Sequence, residues 1–349
     1  MNAKRWNRIT LMLSVCLLIL MGVFTAVIDP FFHYHKPLSA LRYPMGNERY
    51  QNDGILRHFD YDAIIIGTSM TENFKASEFD ALWGANAVKV PFNGGHYKEI
   101  DRAVQQGLKS NPQVKYVLRC LDYYFLDDKD YIRTDVEYPD YLYNENPFDD
   151  VNYLLNKEIF FNYSWLVMTY TRLNAPETSF DEYANWNAMF TFGKDAVLAS
   201  YTRDLAGSVM EAATDEDRER LKANLEQNVL QTAKDNPDVT FYFFFPPYSI
   251  CEWERQFYSG QLERTRELEE FVIETLLPYE NIQIFGFLDE YEMICNLDNY
   301  KDTTHYGEWI NSQILQWISR GEHQITAENY REYLDTTREF YRTFPYAQM

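Results

Sequence analysis

Apolar positions fall in one long block near the amino end of the chain and in a series of short blocks farther on. Positions 10–28 read TLMLSVCLLILMGVFTAVI, 19 residues without a charge. That is about the length a helix needs to cross the hydrocarbon core of a bilayer. Lys4, Arg5 and Arg8 precede the block and Asp29-Pro30 closes it. Basic residues are retained in the cytoplasm, so residues 1–9 are expected inside, 10–28 across the membrane, and the rest outside the cell membrane. A cleaved signal peptide is the competing reading, but its apolar core is usually shorter, and Phe24-Thr25-Ala26 lacks the small-x-small cleavage pattern. A buried helix of a soluble protein is the third.

A polar, aromatic stem over 29–59 leads into alternating short apolar runs and helical patterns. YDAIIIG (61–67), AVKVPFN (87–93), VKYVLRCLD (114–122), VTFYFFF (239–245) and NIQIFGFLD (281–289) read as strands buried on both faces. Helical spacing covers 76–83, 96–110, 215–234, 254–277, 307–319 and 327–342. Short apolar runs separated by helices predict an α/β fold, a three-layer α/β/α sandwich on a mostly parallel sheet, over 60–320. An excursion at 123–238 separates the third and fourth strands, long enough for a lid or a partner-binding surface. Residues 321–349 form a helical tail.

Charge narrows the partners. The chain has 32 Lys+Arg against 53 Asp+Glu, a net charge of -21. Setting aside the three basic residues before the apolar block leaves 29 basic against 53 acidic, or -24. No basic footprint for nucleic acid remains, and the main domain is ill suited to electrostatic docking on anionic lipid. Aromatic residues make up 17% of the chain, 28 of them Tyr, which suits sugar-stacking surfaces and ordinary core packing alike. Outside the apolar block stand Cys120, Cys251 and Cys295; an odd trio is not a disulfide framework, although one bridge between Cys251 and Cys295 is open. No spacing suggests a zinc site, and neither metal nor cofactor is expected.

Two motifs carry candidate chemistry. Gly67-Thr68-Ser69-Met70-Thr71-Glu72-Asn73 begins where the first strand ends, the edge of a parallel sheet where ligands sit. Ser69 there is placed either as a nucleophile near free backbone N–H groups or as a simple helix cap. Tyr300-Lys301-Asp302-Thr303-Thr304-His305-Tyr306-Gly307 lies before the last core helix. A serine hydroxyl needs a base, and a histidine serves best when a carboxylate fixes its tautomer. Of the six histidines, His305 alone has an Asp three residues before it, Asp302.

This arrangement resembles the SGNH/GDSL hydrolase superfamily, which uses a serine in an early Gly-Asp-Ser-like block and a late Asp-x-x-His. Within it, a single anchor and an extracytoplasmic domain resemble DltD- and AlgX/AlgJ-like proteins of cell-envelope acyl transfer. The residues that carry the likeness are Gly67-Thr68-Ser69, Asn93-Gly94-Gly95 and Asp302 to His305. The resemblance implies Ser69 as nucleophile, His305 as base and Asp302 as its orienting acid. It implies an oxyanion hole drawing on Ser69 and on Gly95, with Gly94 as the alternative. It also implies a glycan or teichoic-acid-like polymer as partner, or a polytopic membrane O-acyltransferase.

The chain departs from that pattern in two places. Thr68 replaces the Asp of the first block, and the third strand ends Leu121-Asp122-Tyr123-Tyr124, where the family carries an Asn that donates to the oxyanion. A carboxylate cannot donate unless protonated, so Asn93 or Asn73 must substitute, or the chain is slow or non-catalytic. Arg57, His58 and Tyr248 are candidate substrate contacts, Tyr248 as a sugar contact on a rigid Pro246-Pro247 rim. The expected function is a membrane-anchored serine esterase or acyltransferase; the alternative is a scaffold of the same shape that binds polymer or an acyltransferase.

Overall fold

The computed structural model describes residues 3–136, 138–203 and 206–348. These form two compact units, one of residues up to 59 with 134–179, the other of 60–133 with the chain from 180 onward.

In the first unit a single helix runs Ala3–Ile28, long and apolar enough to cross a membrane. Leu11, Leu13, Leu17 and Leu20 stand more than half exposed along it, unlike the core helix of a soluble protein. Asp29 organises the exit from this helix. Its buried carboxylate accepts the main-chain N–H groups of His33, Tyr34 and His35 and, at 2.6 Å, the Tyr153 hydroxyl. The stem helix Glu48–His58 follows.

The second unit is α/β, built on a six-stranded sheet: β1 (Ala63–Ile66), β2 (Ala87–Lys89), β3 (Tyr116–Cys120), β4 (Thr240–Phe245), β5 (Ile282–Gly286) and β6 (Gln324–Ile325). Their order across the sheet is 2-1-3-4-5-6, parallel throughout except for β6. Strands such as AIII and TFYFFF are apolar on both sides because both faces of such a sheet are covered. The five expected strands are present with their ends trimmed. The antiparallel β6 was not foreseen in the sequence, where two residues carry no periodicity.

The expected helix over 254–277 is two, Ile250–Tyr258 and Leu262–Leu276. Gly260 separates them in the left-handed region at φ +78, and a Cβ there would lie 2.2 Å from the Val209 carbonyl. The excursion passes against this break, with Ser208 N–H on the Tyr258 carbonyl and Glu211 N–H on the Gly260 carbonyl. Cys251 and Cys295 are free thiols, so the bridge left open above does not form.

Candidate active site

The sheet order reverses at β1. The chain leaves β1 on one side to form β2 and comes back on the other as β3, so the loops after β1 and β3 diverge. Open parallel sheets hold ligands in such a crevice, beyond the carboxyl ends of the strands. Ser69 follows β1 and Asp122 follows β3.

Thr68, not Ser69, caps the short helical turn Ser69–Thr71. Its hydroxyl accepts the Met70 N–H at 3.3 Å and donates to Asp122 Oδ2 at 2.8 Å. Buried Lys89 of β2 braces the segment that follows by donating to the carbonyls of Glu72 and Phe74. The Ser69 hydroxyl is thereby left for another partner, His305, whose Nε2 lies 2.8 Å from Ser69 Oγ.

His305 Nδ1 faces both oxygens of Asp302, at 2.9 and 2.8 Å. An ionised carboxylate only accepts, so it fixes the imidazole proton on Nδ1 and turns the Nε2 lone pair toward the serine. Asp302 also accepts the N–H groups of Thr304 at 2.9 Å and His305 at 2.8 Å. Burial pushes its carboxyl up, but the hydrogen bond and charge of His305, with those two N–H groups, hold it well below the ordinary carboxylate range.

The loop carrying these two residues is closed on itself. Tyr300 and Tyr306 pair as an antiparallel bridge with both rings buried. The loop after β4 clamps it from outside: Tyr300 donates its hydroxyl to the Pro247 carbonyl, and Ser249 donates N–H and hydroxyl to the Thr303 carbonyl. Pro246 to Ser249 therefore acts as a rigid support for the histidine loop.

Tyr248 faces away from the role suggested for it. Its ring is buried and its hydroxyl donates to Asp122 Oδ1 at 2.6 Å, which leaves no free phenol for a sugar. Asp122, the residue at the third-block position, thus has each oxygen satisfied by one hydroxyl, Tyr248 and Thr68. Burial pushes its carboxyl up, opposed by those two hydrogen bonds. Arg57 and His58 belong to the first unit, where Arg57 pairs with Asp53 and His58 Nε2 contacts the His33 carbonyl at 3.2 Å. Local pairing absorbs both.

The Asn93-Gly94-Gly95 loop is drawn beside the serine turn because Phe92 N–H donates to the Gly67 carbonyl at 2.8 Å. Gly95 N–H is spent on the Phe92 carbonyl at 2.7 Å, which corrects the preference for Gly95 as a donor. The N–H groups of Gly94 and Ser69 carry no hydrogen bond among the described residues. Gly94 has φ +57, and a Cβ there would fall 2.0 Å from the guanidinium of Arg133, which donates to the Asn93 carbonyl. Asn93 itself is exposed. Asn73 is buried, its Oδ1 taking the Trp186 N–H at 3.1 Å while its Nδ2 has no partner among the described residues.

Trp186 was not found from the sequence. It lies in the excursion, buried, with its ring edge-on to His305 and its indole N–H 3.4 Å from the Ser69 carbonyl. Lys301 places its ammonium 4.0 Å from the Trp186 ring centre and 3.7 Å from that of Phe190. The only signal was an aromatic run in a segment without periodicity, which names no partner.

Compared with known proteins, the sequence matches no family model and no curated protein. Among solved structures it is similar to one named for a platelet activating factor from Streptococcus pneumonia, with a TM-score of 0.41 and 10% identity over 82% of this chain and 90% of that one. A likeness of that degree assigns neither family nor activity to this chain.

Proposed function

We propose that this chain is a membrane-anchored serine esterase or acyltransferase with an SGNH-like three-layer domain outside the cell membrane. Its substrates in this reading are O-acyl esters of a cell-surface glycan or teichoic-acid-like polymer. One observation carries it: a serine hydroxyl, an imidazole and a carboxylate stand in hydrogen-bonded sequence at the crevice of the sheet, Ser69 to His305 to Asp302.

The chemistry follows from that order. Ser69 Oγ attacks the ester carbonyl while its proton passes to His305 Nε2, and Asp302 stabilises the imidazolium. The tetrahedral oxyanion is met by the uncommitted N–H groups of Ser69 and Gly94. The imidazolium returns its proton to the departing alkoxide, leaving the acyl group on Ser69. A polymer hydroxyl or water then attacks the acyl-serine, its proton taken by His305 and given back to Ser69 Oγ. Which of the two attacks decides between transfer and hydrolysis.

Two backbone donors without an Asn make a weaker hole than three, since losing one donor costs about 10²–10³ in rate. This favours slow turnover and motivates the second reading, a non-catalytic scaffold that holds polymer or a polytopic O-acyltransferase. A fluorophosphonate probe and a small acetyl ester separate the two. Labelling and ester cleavage by the native chain, both lost in Ser69→Ala with the fold intact, support the enzyme. No labelling, with co-purification of an acyltransferase that survives Ser69→Ala, supports the scaffold.

A further inference from the structure

The first unit exposes a cluster of large apolar side chains that the proposed chemistry leaves unused. They lie in the part of the excursion over 147–173, which forms the helix Val151–Leu154, the π-helix Ile159–Ser164 and the helix Trp165–Arg172. This segment packs along the outer end of the apolar helix Ala3–Ile28. Phe24 meets Phe160 edge-on at 5.3 Å and Trp165 at 5.8 Å, and Leu154 and Leu155 stand against Gly22. An apolar groove of about 560 Å³ runs between the two, walled by Leu18 and Ile19 on one side and Phe148 and Val151 on the other.

The same segment carries further exposed apolar side chains. Phe148 is 88% exposed, and Phe161, Trp165 and Leu166 are exposed as well. Exposed polar residues stand among them, Asn152, Glu158 and Asn162, while two further polar groups are tied to the end of the helix. Asp150 accepts the Tyr34 hydroxyl at 2.9 Å, and Tyr153 donates to Asp29. Lys157, at the turn, is exposed beside Glu158 at 4.0 Å, on a stem long enough to reach a headgroup. Gly22 and Phe24 lie about 6–9 Å below Ile28 at a rise of 1.5 Å per residue, within the outer half of a bilayer core about 30 Å thick.

We infer that residues 147–173 form an interfacial element sunk in the outer leaflet, covered by the acyl chains of the phospholipids that surround the helix. This rests on reading Ala3–Ile28 as a bilayer anchor. Lipid is the occupant because the groove is continuous with the spanning helix: whatever solvates Leu18 and Ile19 also meets Phe148 and Val151. An apolar face with a tryptophan near the interface and charged residues at its edges is the pattern of a segment lying in the membrane surface. The element would fix the rotation and height of the anchor, which a lone helix leaves free.

Nitroxide accessibility on the full chain, reconstituted in vesicles of phosphatidylcholine and phosphatidylglycerol, tests this. Native Cys16 reports on the anchor. Phe148→Cys and Phe161→Cys, each with Cys16→Ser, report on the segment, and Glu328→Cys with Cys16→Ser gives the aqueous reference; Cys295→Ser is present in all. The expected oxygen-to-nickel accessibility ratio at 148 and 161 matches that at Cys16 and exceeds that at 328 by on the order of tenfold, because oxygen and a polar nickel chelate partition oppositely into hydrocarbon. Lipid-like values at Cys16 with aqueous values at 148 and 161 overturn the inference and leave the anchor standing. Labels at 148 and 161 shielded from both reagents would mean a protein cover, and overturn lipid as the occupant. Aqueous values at Cys16 itself overturn both readings.

Discussion

Trp186 meets His305 edge to face, with ring centres 5.6 Å apart and planes at 88°. The imidazole is thus held by Asp302 in its plane and by an indole across its face. An aromatic pair of this kind contributes about 0.5–1.5 kcal/mol beyond area burial. Trp186→Leu is expected to lower kcat by about tenfold while moving KM little, since the loss is of orientation at the base rather than of substrate contact. Steady-state kinetics on an acetyl ester check this; a rise in KM at constant kcat would make Trp186 a substrate contact instead.

Lys301 lies over the ring of that same indole. Desolvation lowers its pKa, against the opposing charges of Asp302 and Glu72. Lys301→Met keeps the stem and removes the charge, at a cost of about 0.5–1 kcal/mol for a cation over an aromatic face. The expected result is a decrease in kcat of a few-fold, in the same direction as Trp186→Leu and not additive with it. Full additivity in the double variant would mean that the two act separately.

The hydrogen-bonded order of the three polar residues predicts graded losses. Asp302→Asn is expected to cost about 10⁴ in kcat, because an amide can donate to Nδ1 and turn the imidazole to the wrong tautomer. Ser69→Ala and His305→Ala should each reduce turnover to the level given by binding and the oxyanion donors alone, and the double variant should be no worse than either. A double variant much slower than the singles would show that the two residues do not act as a unit.

How far the sequence disclosed these features depends on how local each one is. The strands were legible because AIII or TFYFFF is apolar on both faces whatever surrounds it, and the motif around Asp302 because residues three apart in one turn, Asp302 and His305, can meet. The pairing of Ser69 with His305, 236 positions apart, followed from both motifs lying after strands of one parallel sheet. Trp186, the Tyr248–Asp122 contact and the commitment of Gly95 to a turn were not legible. Each is set by which loop lies beside which, and a single sequence with an excursion of over a hundred residues does not determine that. At Gly260 the left-handed turn is local, and only the close approach of the Val209 backbone is set far away in sequence.

Tyr248→Phe isolates a buried contact that serves the fold rather than the chemistry. Removing the hydroxyl leaves one oxygen of the buried Asp122 carboxylate without its donor. A buried acceptor stripped of its partner costs about 1–3 kcal/mol, more for a charged group. Urea unfolding should show a loss in that range or above, with Asp122→Asn in the same background recovering part of it by removing the charge. A Tyr248→Phe variant as stable as the native chain would mean that Asp122 is already neutral in the folded protein.

Asp302 also predicts how stability responds to acid. Its folded-state pKa lies below the unfolded value of about 3.9, so the folded form binds the proton less readily than the unfolded one. The stabilisation is then fully present above the unfolded value and is lost as pH falls from there through the lower folded value. Comparison with Asp302→Asn, which does not titrate, follows this contribution: the stability gap between the two should shrink steadily below about pH 4. The same depression keeps Asp302 ionised throughout the range in which an esterase is assayed. Chemical denaturation of both chains at a series of pH values checks the first statement. A gap that widened on acidification would mean that Asp302 is held protonated in the folded protein, and the base would then lack its anchor.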